Sequence, residues 1–352
     1  MLHLLPDELL VAIVECCDQK TRKSLSLVSR RLRKPSQHII FKTVYIPSNA
    51  FETVVPRFAI EDGGHLPEVL QNDRLSSYIQ TISISQCNPL HHLEVNTMEL
   101  LFTALHQIQP LRDIELSEIS FSTTMLDRLC EVLSTRLYSL KLWFCSYPAD
   151  YTIQQAALKI QRLELALEYP TPSPKTINTV VAIIERSLAS IASLNLSPGL
   201  YILAYLGTMP RLMSLNGLST SPGDGELLSH FLVANPQLVE FAFDGVFHRL
   251  PLLSLLPPSA LPNLRIIRST PEQIHHVLPG RPVSKVEIYQ SLKVKIMVDG
   301  LRVLSCSTVP IFELTLRLHL YFRHLCDILD AVVESVPRLE RIGLSFQAEV
   351  RK

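Results

Sequence analysis

Two stretches of the sequence, Leu111-Arg112-Asp113-Ile114-Glu115-Leu116 and Leu137-Tyr138-Ser139-Leu140-Lys141-Leu142, carry the same pattern of apolar residues. In each stretch the first, fourth and sixth positions are apolar. The last two alternate with polar neighbours, which is typical of a short strand with one buried face. Copies of the pattern begin at Ile79, Leu111, Leu137, Ile160, Ile191, Leu212, Leu238, Leu264, Val283, Ile311 and Leu339, with 19 to 32 residues between successive starts.

This spacing matches the leucine-rich repeat, which has a period of about 20–29 residues and the same core pattern. The fuller pattern places Asn or Cys three residues after the last apolar one, where Cys87, Cys145, Thr220 and Ser291 stand in four copies. Helical patterns such as 96–107 and 124–134 lie between the predicted strands. We therefore predict an α/β fold in which residues 47–352 form an irregular horseshoe solenoid of about 11 repeats, with parallel strands on the concave face.

The alternative to a repeat array is a compact, doubly wound α/β domain. Such a domain would need a glycine-rich phosphate turn, and the chain has 11 glycines and no GxGxxG motif. The pattern therefore favours the solenoid.

The balance of charge and the cysteine usage exclude several classes of protein. The chain has 33 Lys+Arg and 33 Asp+Glu, so we expect neither a nucleic-acid binder nor a polybasic membrane-surface module. Its apolar runs are too short for a membrane span. Its 7 cysteines are odd in number and lack CxxC spacing, which indicates reduced thiols inside a cell.

No pattern for catalysis, a metal or a cofactor was found, since GxSxG, P-loop, HExxH and EF-hand motifs are all absent. The adjacent pairs His91-His92 and His275-His276 are interpreted as surface loops. We therefore expect no enzyme and no cofactor. A hydrolase or transferase site assembled from residues distant in sequence stays the alternative.

The first forty residues predict three short helices. Pro6, Asp7 and Glu8 suit the first turn of one helix. Asp18 can cap a second helix from 19 to about 32, and Pro35 should stop it before a third helix at about 36–43. Three such helices cannot bury all their apolar residues alone, so a partner is implied, either the rest of the chain or another protein.

The run Leu5-Pro6-Asp7-Glu8-Leu9-Leu10-x-x-Ile13, followed by Leu25-Ser26-Leu27-Val28-Ser29-Arg30-Arg31-Leu32, resembles an F-box. The resemblance covers residues 4–46, and His38-Ile39-Ile40-Phe41 stands where the family often has a tryptophan. With the repeats behind it, the chain is similar to fungal-type F-box/leucine-rich-repeat substrate receptors. We accordingly assign 1–46 to an F-box-like docking module.

The resemblance implies a substrate-recognition subunit of an SCF-type cullin–RING ubiquitin ligase, acting in the cytoplasm, the nucleus or both. Its F-box would bind a Skp-family adaptor and through it the cullin, while the repeats bind an unknown target protein. The adaptor would contact the apolar residues Leu5, Pro6, Leu9, Leu10, Ile13, Leu25, Val28 and Leu32. The alternative is a repeat scaffold outside the ubiquitin system, whose N-terminal helices only cap the array.

The repeat register also predicts a surface for the target. In Leu140-Lys141-Leu142-Trp143 the leucines should point inward, which leaves Lys141 and Trp143 outward. Their neighbours would be Glu115 and Glu164 beside Lys141, and Ser117 and Ala166 beside Trp143. The predicted target-binding residues are Lys141, Trp143, Glu115, Glu164, Asp244, Tyr289 and Arg317. Alternatively, Trp143 folds over a repeat edge or under the loop 146–151.

Overall fold

A computed structural model describes residues 5–46, 58–59, 72–85, 99, 102–106, 108–135, 137–148, 151–154, 157–167, 173–197, 200–219, 224–245, 256–257, 259–289, 294–318 and 325–346. The chain forms two compact units. The first unit comprises Met1–Arg162 and Pro170–Ser187, and the second comprises Leu163–Tyr169 and Leu188–Lys352.

The first unit opens with three helices, as predicted: α1 (Asp7–Cys16), α2 (Gln19–Val28) and α3 (Arg30–Lys42). The predicted cap is confirmed, because the amide of Thr21 donates to Oδ1 of Asp18 at 2.7 Å. An Asp at this position satisfies one of the amides that the first helical turn leaves without a partner.

The boundary between the second and third helices differs from the prediction. The chain turns at Ser29, which is extended, and Pro35 lies inside α3 instead of ending α2. A proline there removes one helical hydrogen bond. The helix continues because Leu32, Ser36 and Ile40, four residues apart, are buried along one face. Burial of this continuous face outweighs the single lost hydrogen bond.

The rest of the first unit is a parallel sheet with helices. Its elements are β1 (Thr43–Ile46), β2 (Phe58–Ala59), α4 (Asp73–Ser76), β3 (Thr81–Ser85), β4 (Asp113–Ser117), α5 (Thr123–Thr135), β5 (Ser139–Trp143) and α6 (Pro174–Ser187). The strand order is β2-β1-β3-β4-β5, and each neighbouring pair is parallel. Residues 43–46, which the sequence analysis placed in the docking module, therefore belong to the sheet.

The second unit repeats the same alternation. Its elements are β6 (Arg162–Ala166, whose first residue belongs to the first unit), β7 (Ser193–Leu196), a 3-10 helix (Leu200–Tyr205), β8 (Ser214–Ser219), α7 (Asp224–Ala234), β9 (Glu240–Gly245), β10 (Ile266–Ser269), α8 (Pro271–Val277), β11 (Lys285–Ile288), α9 (Val294–Arg302), a second 3-10 helix (Val303–Cys306), β12 (Glu313–Leu318), α10 (Leu325–Ser335) and β13 (Arg341–Phe346). The strands follow one another in chain order, and the pairs from β7 to β13 are parallel. The predicted α/β class with parallel strands is confirmed in each unit, whereas the horseshoe stays a prediction.

The apolar positions of the repeat form the core. From Ile79 to Leu316, each apolar residue at the first, fourth or sixth position of a copy is at most 3% exposed. In the copy that begins at Leu264, the sixth position is Ser269, which is buried and donates its hydroxyl to the carbonyl of Phe243 at 3.1 Å. The last copy differs: Ile342 and Leu344 are 45% and 38% exposed on β13, the last strand that the structure describes.

Cys145 occupies the Asn/Cys position of the repeat, as predicted. Its buried thiol lies 3.6 Å from the carbonyl of Leu116 and 3.5 Å from that of Trp143, so it donates to the ends of two neighbouring strands. Cys87, Thr220 and Ser291, predicted for the same position, lie outside the described residues.

Arg281 is a buried cation that the sequence analysis did not find. It is 2% exposed and donates to four backbone carbonyls, those of Pro257, Ala260, Val277 and Pro279. Two of these carbonyls lie at or just beyond the end of α8, where the helix dipole favours a positive charge. The side chain thus ties the loop before β10 to the end of this helix.

The repeat register makes opposite predictions for two adjacent residues of β5. Leu142→Asp should lower the free energy of unfolding by roughly 4 kcal/mol, because it places an unpaired charge in the core. Lys141→Ala should cost less than about 1 kcal/mol, because that side chain is half-exposed. Thermal unfolding of the two variants measures the difference. Equal shifts of the melting temperature would contradict the register.

Two buried thiols predict a dependence of stability on pH. Burial raises the pKa of Cys130 to about 11 and that of Cys145 to about 12. A thiol pKa raised by folding stabilises the fold below its unfolded value of about 8.5, and this contribution is lost as pH rises through the folded value. The melting temperature should therefore fall above about pH 9, and less steeply in Cys145→Ala.

Alkylation at mildly alkaline pH tests the same assignment directly. Iodoacetamide should modify Cys16, Cys306 and Cys326, which are exposed, and leave Cys130 and Cys145 unmodified until the protein unfolds. Mass spectrometry of the native protein identifies the modified sites. Rapid native labelling of Cys145 would contradict its placement in the core.

Candidate partner-binding surfaces

Arginine side chains hold the three N-terminal helices together. Arg22 of α2 donates to the carbonyls of Val14 at 2.8 Å and Glu15 at 2.6 Å, at the end of α1. Arg31 of α3 donates to the carbonyl of Leu5 and to the carboxylate of Asp7, the latter at 3.0 Å. These carbonyls lie in the last turn of α1 or before its start, where regular helical hydrogen bonds are missing, and that of Val14 also accepts from the amide of Cys17 at 3.2 Å. The arginines therefore fix how the helices meet.

The core of this helical module is small. Leu10, Val14 and Leu32 form it, and Leu5, Leu25 and Ile39 pack against it while partly buried. Four other apolar side chains stay exposed: Leu9 by 50%, Ile13 by 41%, Leu27 by 79% and Val28 by 82%. Exposed apolar residues grouped on one small module are typical of a partner interface.

The predicted adaptor-binding residues divide by burial. Pro6, Leu9, Ile13 and Val28 are exposed, and Leu5 and Leu25 are half-buried. Leu10 and Leu32, in contrast, lie in the core, so their side chains support the module and do not face a partner. Consecutive helical residues point about 100° apart. When Leu10 and Val14 face inward, Leu9 and Ile13 must occupy the neighbouring stripe.

The sheet of the first unit has the predicted register. Glu115 lies opposite Lys141, and Ser117 lies opposite Trp143. The ammonium of Lys141 lies 5.4 Å from the ring centroid of Trp143, within range of a cation–π interaction. Trp143 is half-buried, and its ring carries this cation on one face. The structure brings the predicted anchor together with a lysine of its own strand.

The polar positions of the second unit form a network of ion pairs across its strands. Arg268 pairs with Glu240 and, at 3.3 Å, with Glu287. Glu287 also pairs with Arg317 at 2.5 Å. Each of these residues stands on a different strand, so the network crosses β9 to β12. Surface ion pairs contribute little to stability singly, but a network orders the side chains that form it.

A second, shorter network lies at the first residues of β11, β12 and β13. Glu313 pairs with Lys285 at 2.8 Å and with Arg341. The backbone register places these three residues directly opposite one another on β11, β12 and β13. Opposite charges in directly facing positions stabilise a sheet, so this network supports the exposed edge strand.

The predicted target residues of the second unit occupy different positions. The guanidinium of Arg317 lies 5.1 Å from the ring centroid of Tyr289, so these two residues form a joint surface. Asp244 is part of β9, but its side chain lies outside what the structure describes. Glu164 is half-buried on β6, at an outward position as predicted.

Sequence reasoning missed a polar groove of about 370 Å³ on this sheet. Asn195 and Asn216 lie opposite each other on β7 and β8, and Ala242 and Arg268 continue the row. The small side chain of Ala242 leaves the depression between the amides and the guanidinium. The signal was present, because all four residues stand at the fifth position of a copy, between its fourth and sixth positions.

Other chemistry is sparse in the part of the chain that the structure describes. There, no group of three or more His, Cys, Asp or Glu residues is placed to hold a metal ion. No described helix is both long and apolar enough to cross a membrane. His275 and His276 lie on α8 and not in a loop as predicted, and burial lowers the pKa of His276. His91 and His92 lie outside the described residues.

Comparisons with known proteins identify no family. No family model matches the sequence. No curated protein matches it either. Among solved structures, the crystal structure of the Rad7 and Elc1 complex in yeast is similar over 80% of this chain and 74% of that chain, with 10% sequence identity and a TM-score of 0.35. A likeness of this degree does not identify the function.

The lysine over Trp143 predicts how accessible the indole ring is to a neutral quencher. Acrylamide should quench the fluorescence of this single tryptophan partially, because the ring is half-buried and the ammonium of Lys141 covers one face. In Lys141→Ala the quenching should increase, because that face is uncovered. Blue-shifted emission that acrylamide does not quench would contradict the half-buried position.

Proposed function

We propose that this chain is the substrate-recognition subunit of an SCF-type cullin–RING ubiquitin ligase. Its N-terminal helices bind a Skp-family adaptor, and the adaptor links it to the cullin. The strand faces of the repeats bind the target protein. The subunit performs no chemistry itself and acts by holding a target lysine close to a ubiquitin-charged enzyme.

The observation that carries the proposal is the exposed apolar surface of the helical module. Leu9 and Ile13 share a face of α1, one turn apart, and Leu27 and Val28 end α2. All four fall within the stretches that resemble an F-box. Burial of one such side chain stabilises a complex by about 1.5–3 kcal/mol, so a few of them suffice for tight docking.

The alternative function is a repeat scaffold whose helices only cap the array, and one observation favours it. Helix α3 runs directly into β1, and the ring of His38 packs edge-on against Tyr78 at 5.5 Å. The helices are thus continuous with the first strands. Co-purification separates the two functions, because a ligase subunit brings a Skp-family adaptor with it and a scaffold does not.

The test replaces the two exposed residues of α1. The double variant Leu9→Asp, Ile13→Asp should reduce capture of the adaptor at least about tenfold, because two apolar side chains are lost from the interface. Its melting temperature should stay close to that of the wild type, since both positions are exposed. Adaptor bound in a pull-down from cells that express the tagged full chain measures the effect.

Two variants serve as controls. Val233→Asp, Val333→Asp makes the same change at exposed positions of the second unit and should leave capture unchanged. Leu10→Asp should unfold the helices and abolish capture together with stability, because Leu10 is fully buried. Wild-type capture by the Leu9, Ile13 variant would contradict the proposal and leave the scaffold as the function.

A further inference from the structure

The first unit contains a groove at the N-terminal ends of its parallel strands. Lys42, Gln80, Arg112, Tyr138 and Gln161 each stand just before a strand or at its start, and backbone hydrogen bonds of 2.8–3.0 Å join each to the next. They form one row across the N-terminal ends of the strands. With Thr81, Asp113, Leu137, Lys159 and Arg162 they line a groove of about 610 Å³.

The groove is strongly basic. Lys42, Arg112, Lys159 and Arg162 face a single carboxylate, Asp113, which accepts a hydrogen bond from the hydroxyl of Thr81 at 3.3 Å. Among the described residues, none of the four cations forms an ion pair. The whole chain has equal numbers of acidic and basic residues, so this local excess of positive charge is a property of the groove.

Cations without an ion pair are not a general property of these strands, as the second unit shows. There, Arg268, Lys285, Arg317 and Arg341 all pair with glutamates on neighbouring strands. The same repeat geometry therefore satisfies its cations internally in the second unit. In the first unit the four groove cations, in contrast, form no ion pair among the described residues and stay available to an external anion.

Arg162 is also held in place for binding. Its guanidinium lies 5.3 Å from the ring centroid of Tyr138, which is 37% exposed. Stacking on a ring restrains the guanidinium plane and leaves its edge donors available for a carboxylate. The amides of Gln80 and Gln161, in the same row, can donate to or accept from a peptide backbone.

We propose that this groove binds an extended acidic segment of a partner protein. Neighbouring strands lie about 4.8 Å apart, so Lys42, Arg112 and Arg162 stand about 10 Å from one to the next. A peptide in the polyproline II conformation advances about 3.1 Å per residue with three residues per turn, so its side chains three residues apart lie on the same side, about 9 Å from one to the next. The ligand is therefore a segment with Asp or Glu at every third position. This inference names the chemistry of the target and to that extent rests on the proposed function.

Fluorescence anisotropy with the full-length chain tests the proposal. The probe is a fluorescein-labelled decapeptide with glutamate at every third position among glycine and serine, and its glutamine counterpart is the control peptide. The acidic peptide should bind and the control should not, and binding should weaken as salt screens the charges. The variant Arg112→Glu, Arg162→Glu should lower affinity at least about tenfold.

Two further variants control for a general effect of charge reversal and for loss of the fold. Lys175→Glu, Arg338→Glu reverses two exposed charges outside the groove and should leave the affinity for the acidic peptide unchanged. If the reversal in the groove lowers the melting temperature, Arg112→Gln, Arg162→Gln provides a milder change that should still weaken binding severalfold. Wild-type affinity of the folded groove variants for the acidic peptide would overturn the proposal.

Two further measurements show whether the groove prefers a peptide to a nucleic acid, and whether peptide binding is independent of the adaptor surface. A single-stranded oligodeoxythymidylate that binds more tightly than the peptide, and loses affinity in the same variants, would overturn the peptide assignment in favour of a nucleic acid. The Leu9→Asp, Ile13→Asp variant should retain peptide binding. Failure of adaptor capture and failure of the groove are thereby measured separately.

Discussion

The stacking of apolar side chains between successive parallel strands is the interaction on which both units depend. Ile82, Ile114 and Leu140 lie opposite one another on consecutive strands of the first unit, and each is at most 1% exposed. A strand of this kind cannot bury its apolar face alone. Each repeat is therefore stable only against its neighbours, which makes stability largely a sum of local contacts. The exposure of Ile342 and Leu344 on the last described strand follows from the same dependence.

Because alternate residues point to opposite sides of a strand, the buried columns also determine what faces outward. The polar residues between the apolar ones stand in rows at regular spacing, and the two units use these rows differently. In the second unit the rows contain alternating charges that pair across strands, as Arg268 and Glu287 do. In the first unit the row that begins at Lys42 contains cations that have no carboxylate partner among the described residues. The same repeat pattern thus carries charges that pair across strands in the second unit and a row of cations without a carboxylate partner, among the described residues, in the first.

The helical module is held together by a small core and by arginine side chains. Three core side chains cannot hold three helices by burial alone, and the arginines at positions 22 and 31 supplement them by bonding carbonyls at and near the ends of α1. With these hydrogen bonds in place, the outer stripe of α1 is not needed to stabilise the module. Its residues Leu9 and Ile13 can then be exposed without loss of the fold, which is the property a docking surface needs.

Much of this arrangement follows from the sequence by itself. The apolar pattern determined which residues are buried, how Glu115 and Lys141 are registered, and where Cys145 bonds, because strand alternation is a local property with a fixed period of two. Asp18 marked the start of α2 for an equally local reason. Four residues of the groove row, Gln80, Arg112, Tyr138 and Gln161, were also encoded, one place after the first apolar position of a copy. Only the tertiary structure decided that Leu10 and not Leu9 faces the core, that Pro35 lies within α3, and which charges pair. These outcomes depend on the direction from which a neighbouring element packs, and on strands that are adjacent in space but separated by a whole repeat along the chain.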